Sequence, residues 1–195
     1  MKYKKLSLPF LLLLVALTVK ATITTTALRI EGLDNPVGID AEQPRFSWRI
    51  EATTEKGVIQ TAYQIVVASS LDKLEKGEGD VWNSGKVSSD ASLWIPYKGK
   101  QLKTNNRYYW KVKVWTNKGE AAWSAPARWS MGLLSENDWK AQWIGMERLA
   151  PWDSGTQWSR LSSRYLRKEF PAKKQIKYAT AHISGMGLYE LYIKE

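Results

Sequence analysis

Large side chains recur at every second position through Tyr108, Trp110, Val112 and Val114, with Lys111 and Lys113 between them. A period of two sends alternate side chains to opposite faces. The spacing therefore predicts a strand over Arg107–Thr116, with one face in a core and the other toward water. Asn117-Lys118-Gly119 supplies a turn, and Ala127 to Met131 reads as a closing strand. Upstream, Phe46, Trp48 and Ile50 share one face of a strand from Pro44 to Ile50. Tyr63, Ile65 and Val67 do the same across Thr61 to Ser69. Three shorter strands are predicted at Ala27–Glu31, Val81–Lys86 (with a turn) and Ser92–Pro96, the first preceded by a Thr-rich leader from Thr22 to Thr26. Pro96 cannot donate to a ladder and so favours a sheet edge. Leu71 to Gly79 is polar, contains Gly77 and Gly79, and is too short for much of a helix. About seven short strands separated by turn signals predict an all-β sandwich.

Beyond Gly132 the pattern changes. Ser135-Glu136-Asn137-Asp138 reads as a single helical turn, capped by Ser135 with acidic residues at its start. Leu133 to Gly145 is taken as the junction, and Met146 to Ser163 is irregular and polar apart from Trp152 and Trp158. Alternation resumes in Tyr165–Phe170 and Tyr178–Lys194, which both read as strands. In the last of these, Leu188, Glu190, Tyr192 and Lys194 oppose Tyr189, Leu191 and Ile193. A strand of that quality requires a partner, and no returning strand follows Glu195. The expectation is a chain that stops partway into a second module.

The start of the chain has a different character. Lys2, Lys4 and Lys5 precede an apolar run from Leu6 to Val19, and Val19 and Ala21 are small residues of the kind a signal peptidase reads. The run is shorter than the roughly 20 residues of a membrane span, so residues 1–21 are expected to be a removable leader, with no stable membrane span. The mature protein is then expected to be exported, periplasmic or extracellular. That expectation also corrects the charge. Of 29 basic residues four lie in this segment, leaving 25 against 19 acidic residues, or +6 instead of +10. The remainder are scattered and form no basic stripe, so no nucleic acid partner is expected. The sequence has no Cys, which removes disulfides, thiolate metal sites and Cys nucleophiles together.

Little catalytic chemistry is visible. His182 is the single His and lies in the alternating segment Ala179 to Ser184, where packing against neighbours explains it better than catalysis. Gly185-Met186-Gly187 lacks a following helix and does not read as a phosphate loop. Carboxylates cluster at Asp34, Asp40 and Glu42, at Asp72, Glu75, Glu78 and Asp80, and at Glu136 and Asp138. Solvated faces and turn chemistry account for them without a site. Among eleven Trp, Trp48 and Trp110 are in phase with core positions, while Trp139 and Trp143 suit a domain interface. Trp94, Trp115, Trp152 and Trp158 stay open as possible sugar-stacking positions; a cross-strand pair explains Trp115 equally well. No catalytic, cofactor-binding or metal-binding residue is assigned, and no cofactor is expected.

Leu102, six residues before Tyr108, resembles the tyrosine corner of fibronectin type III modules. A longer ordered set resembles the N-terminal part of bacterial α-L-rhamnosidases. It comprises Asn35-Pro36-Val37-Gly38-Ile39-Asp40, Pro44-Arg45-Phe46-Ser47-Trp48, Gln60-Thr61-Ala62-Tyr63-Gln64-Ile65 and Trp82-Asn83-Ser84-Gly85-Lys86-Val87. Arg107-Tyr108-Tyr109-Trp110-Lys111-Val112, Trp139-Lys140-Ala141-Gln142-Trp143-Ile144-Gly145 and Ile183-Ser184-Gly185-Met186-Gly187-Leu188-Tyr189-Glu190-Leu191 follow in order.

The resemblance implies an exported, inverting hydrolase of terminal α-L-rhamnose, built from β-sandwich modules followed by an (α/α)6 barrel with the catalytic carboxylates. None of those catalytic positions falls within this chain. The implied organisation is a signal peptide at 1–21, a fibronectin type III/Ig-like β-sandwich at 22–133, a linker at 134–163 and the truncated start of a jelly-roll-like β-sandwich at 164–195. The implied partners are the missing C-terminal catalytic domain of the same polypeptide and a rhamnose-containing glycan. The alternative reading is a free-standing exported carbohydrate-binding or adhesion module, which fold alone does not exclude.

Overall fold

The computed structural model describes residues 23–52, 55–145, 151–153, 163–171, 175–176 and 178–193. The expected leader at 1–21 and Trp158 lie outside the described residues. Contacts divide the chain into two units, one through Leu134 and one from Ser135.

In the first unit, the sequence alternation becomes nine strands. These are β1 (Ile23–Ile30), β2 (Arg45–Ala52), β3 (Gln60–Ala68), β4 (Trp82–Asn83), β5 (Val87–Ser88), β6 (Ile95–Pro96), β7 (Arg107–Thr116), β8 (Gly119–Glu120) and β9 (Ala127–Ser130). A five-residue helix, α1 (Leu71–Glu75), follows β3; Ser70 caps it by accepting the Lys73 N–H. All pairings within the sheets are antiparallel. One sheet has the order β1-β2-β6; in the other, β3 and β7 form the centre, flanked by β4 and β5 on one side and β8 and β9 on the other. Pro96 does lie on an edge strand, paired with Arg45.

The two inner faces supply one core. Along β7, Tyr108, Trp110, Val112 and Val114 are buried and the intervening residues are half-buried, as the period of two requires. Phe46 of β2 sits at the centre, its ring 4.7 Å from that of Trp110 in an edge-on arrangement and 5.6 Å from Trp129. Trp48 packs edge-on against Tyr63 at 5.2 Å, so both sheets contribute to each aromatic pair. The corner is present: the Lys103 N–H donates to Tyr108 Oη at 2.9 Å, with Leu102 buried beside it.

Three boundaries differ from expectation. Thr24–Thr26 is not a leader but part of β1, paired with Arg49–Glu51. A register shift between Thr26 and Arg29, where Ala27 has φ +48°, hides the strand from a simple alternation count. The Ser92–Pro96 strand shrinks to Ile95–Pro96 because Trp94, at φ +57°, leaves the extended region. The Val81–Lys86 prediction resolves into β4, then a turn at Gly85 (φ +61°), with β5 beyond it.

In the second unit, Glu136–Asp138 forms the expected single turn, a 3-10 turn. The Ser135 hydroxyl and Asp138 carboxylate complete a reciprocal capping box. The strands expected at Tyr165–Phe170 and Tyr178–Lys194 are not observed, since the described residues there carry no strand. Alternation defines two faces, but a strand is fixed by ladder hydrogen bonds to a neighbour, and none pairs with these segments among the described residues.

Candidate functional site

Three carboxylates of the first unit, Glu31, Asp34 and Asp80, are tied into the fold. Glu31 receives Arg45 through both oxygens, with Nη2–Oε2 at 2.6 Å, and also accepts the Arg45 backbone N–H at 2.7 Å. The hydrogen bond from the Arg45 side chain, opposed by a smaller desolvation effect, lowers the Glu31 pKa. Asp34 pairs with Arg29 at 3.2 Å. Asp80 joins the end of β3 to the helix by accepting from Lys73 Nζ (2.7 Å), Ser69 Oγ (2.6 Å) and the Ser69 N–H (2.9 Å). Partial burial pushes Asp80 up, but the hydrogen bonds from Lys73 and Ser69 outweigh it and hold the pKa at about 2. Asp40, Glu42, Asp72, Glu75, Glu78 and Glu136 are exposed. Ion pairs within the fold and solvated faces account for these carboxylates.

Two of the depressions on the sandwich bear on the placement of carboxylates. One is lined by residues that include Tyr109, Arg128 and a single carboxylate, Glu75. The other, between Tyr63, Trp82, Ile95 and Lys98, is lined by no carboxylate. Neither brings two carboxylates together across a space a glycosidic bond could enter. His182 is partly buried and lies outside any strand, contrary to its expected place in one. Among the described residues no cluster of three or more His, Asp or Glu is arranged to hold a metal ion.

The tryptophans separate by environment. Trp48 and Trp110 are buried, as their phase predicted. Trp139 and Trp143 are exposed, as is Trp152. Trp115 is half-buried on the outer face of β7, with Lys86 Nζ 4.5 Å and Lys113 Nζ 5.2 Å from its ring centroid. Lys111 lies 5.0 Å from the ring of Trp123. The two lysines over Trp115 give it a cation–π role that accounts for it structurally. Trp94 differs: Arg45 stacks at 4.4 Å from its centroid, yet half of the residue is open to solvent. Sequence reasoning left Trp94 open and passed over Glu31, Arg45 and Ser47, which hold it. No periodic signal marks them, because their meeting depends on strand register.

A model of the family described as "Rha78A-like, N-terminal immunoglobulin domain" matches residues 25–135. The chain is 37% identical over 215 residues to an alpha-L-rhamnosidase of Formosa agariphila, an alignment covering 99% of this chain and 22% of that protein. Among solved structures, the Streptomyces avermitilis alpha-L-rhamnosidase complexed with L-rhamnose superposes with a TM-score of 0.60 and 43% identity, over 64% of this chain and 12% of that one. The alpha-L-rhamnosidase from Dictyoglumus thermophilum gives a TM-score of 0.60 and 41% identity over 63% and 14%. The chain thus spans about a fifth of the length of the curated relatives it matches.

Proposed function

The chain belongs to the family of Rha78A-like N-terminal immunoglobulin domains, and we propose that it is the non-catalytic opening part of an exported α-L-rhamnosidase that hydrolyses terminal α-L-rhamnose from glycosides and polysaccharides. The observation that carries this reading is the family match over residues 25–135, the span of the sandwich, in a chain one-fifth the length of its rhamnosidase relatives. Inverting hydrolysis requires an acid and a base held at roughly 6.5–9.5 Å on opposite sides of the scissile bond. The sandwich commits Glu31, Asp34 and Asp80 to structural ties instead. The chemistry is therefore assigned to a C-terminal catalytic domain of the same polypeptide, and the glycan substrate to that domain's site. In this reading residues 1–21 are a cleaved leader, 22–133 the sandwich, 134–163 the linker and 164–195 the opening of a jelly-roll-like module. The test is the gene beyond the codon for Glu195. An open frame encoding several hundred further residues with paired Asp/Glu supports the enzyme, and a stop codon there supports a free-standing module.

A further inference from the structure

Trp94 is held outward at a conformational cost. Its φ of +57° lies in the left-handed region, an outlier for a bulky side chain, and such strain persists only where surrounding structure over-determines it. Those surroundings are visible. The Trp94 N–H donates to Oγ of the buried Ser47 at 3.0 Å. The Arg45 guanidinium stacks 4.4 Å from the ring centroid and is itself fixed by the two-oxygen contact with Glu31. Gly32, at φ +76°, lies beside the tip of the indole, where an added Cβ would make an ordinary contact of 3.5 Å with Cη2.

Despite these restraints Trp94 stays 49% exposed. Leu93 beside it is 62% exposed, and Leu33, next to Gly32, is 56% exposed. An aromatic ring ordered in advance costs a ligand little to engage, which is what preorganisation means for binding. Three apolar side chains are too few for the roughly 1,000 Å² of a stable protein interface, so the surface suits a small ligand. The Arg45 guanidinium, bonded to Glu31, lies over the ring, so a matching ligand is apolar where it meets the indole and hydroxylated where it meets that ion pair.

We propose that Trp94 is an aromatic platform for a 6-deoxyhexopyranose. The C–H face of the sugar stacks on the indole, its methyl meets Leu33 and Leu93, and its hydroxyls reach Arg45 and Glu31. The inference rests on the rhamnosidase reading and extends it by giving this module a sugar site of its own. The full chain, labelled with 5-fluorotryptophan, is titrated with methyl α-L-rhamnopyranoside. It is then titrated with methyl α-L-mannopyranoside, which differs only by a 6-hydroxyl. The fluorine resonance that disappears in Trp94→Phe identifies the platform. That resonance should move saturably, with a Kd in the millimolar range and a several-fold preference for the deoxy sugar.

Leu93→Ser should abolish the preference. Trp94→Asn, a residue that tolerates positive φ, should keep the urea midpoint of unfolding while abolishing saturation transfer to the sugar. A Trp94 resonance unmoved well above millimolar sugar overturns the proposal, as does equal movement of the buried Trp48 and Trp110 resonances. A shift that follows protein concentration without sugar also overturns it, assigning the ring to contact between copies. Failure here leaves the rhamnosidase reading standing. Conversely, a stop codon after Glu195 together with saturable binding would reject the enzyme and keep the platform.

Discussion

Two buried tryptophans of the core differ in one hydrogen bond, and that difference predicts unequal responses to the same substitution. Trp48 Nε1–H donates to Gln60 Oε1 at 3.0 Å, and Gln60 Nε2 in turn donates to the carbonyls of Ser89 (3.0 Å) and Ala91 (2.7 Å). Trp110 Nε1 is equally buried but has no acceptor among the described residues. Replacing either indole by Phe removes similar apolar area, costing about 1–2 kcal/mol including imperfect repacking. Trp48→Phe also strands Gln60 Oε1 in the core, adding about 1–3 kcal/mol. Trp110→Phe removes a desolvated donor and recovers a comparable amount, about 1–3 kcal/mol. Trp110→Phe should therefore come out near neutral, and Trp48→Phe at least about 2 kcal/mol less stable than it. Urea unfolding followed by far-ultraviolet circular dichroism should show this as a separation of about 1 M between midpoints at a common slope of about 2 kcal/mol/M. Coincident midpoints, or a larger loss for Trp110→Phe, would refute the assignment of satisfied and unsatisfied indoles.

Removing the Tyr108 hydroxyl leaves the Lys103 N–H without its acceptor, so Tyr108→Phe should lose about 1 kcal/mol or somewhat more in the same urea assay. Trp110→Ala, which empties the space facing Phe46 instead of trimming it, should cost about 3–5 kcal/mol by denaturant titration. Asp80 has its folded pKa lowered from the ordinary 3.8 to about 2, so its contribution is complete above 3.8 and disappears as pH falls through about 2. With its side chain partly open to solvent, the screened contribution is about 1–2 kcal/mol, and Asp80→Asn should flatten that limb of the stability–pH curve. Truncation to residues 22–134 should raise solubility at an unchanged sandwich spectrum, because it removes the exposed Tyr165, Phe170, Leu188 and Ile193.

The part of the fold that alternation could reach was legible in the residues themselves. Arg107–Thr116 reads as a strand because one face is uniformly large and apolar, and β7 has those bounds. The Leu102–Tyr108 spacing likewise carried the corner, a local device whose geometry follows from a short loop. The first strand was harder: its opening is a run of Thr, and the shift near Ala27 reverses which residues face inward. Tyr165–Phe170 and Leu188–Ile193 show the opposite failure, since a good alternating pattern states a preference and only a neighbouring strand converts it into a ladder. At Trp94 the sequence marked an aromatic candidate but not its support. Neither a positive φ nor the meeting of Glu31, Arg45 and Ser47 around one ring can be read from spacing.

We propose that the hydrolytic chemistry of the parent enzyme lies outside the sandwich and its following segment. The direct measurement is release of the aryl alcohol from an aryl α-L-rhamnoside by the purified chain. No turnover above buffer is predicted, because among the described residues neither depression of the sandwich pairs an acid with a base. Measurable turnover that vanishes when a carboxylate within this chain is replaced by its amide would contradict it.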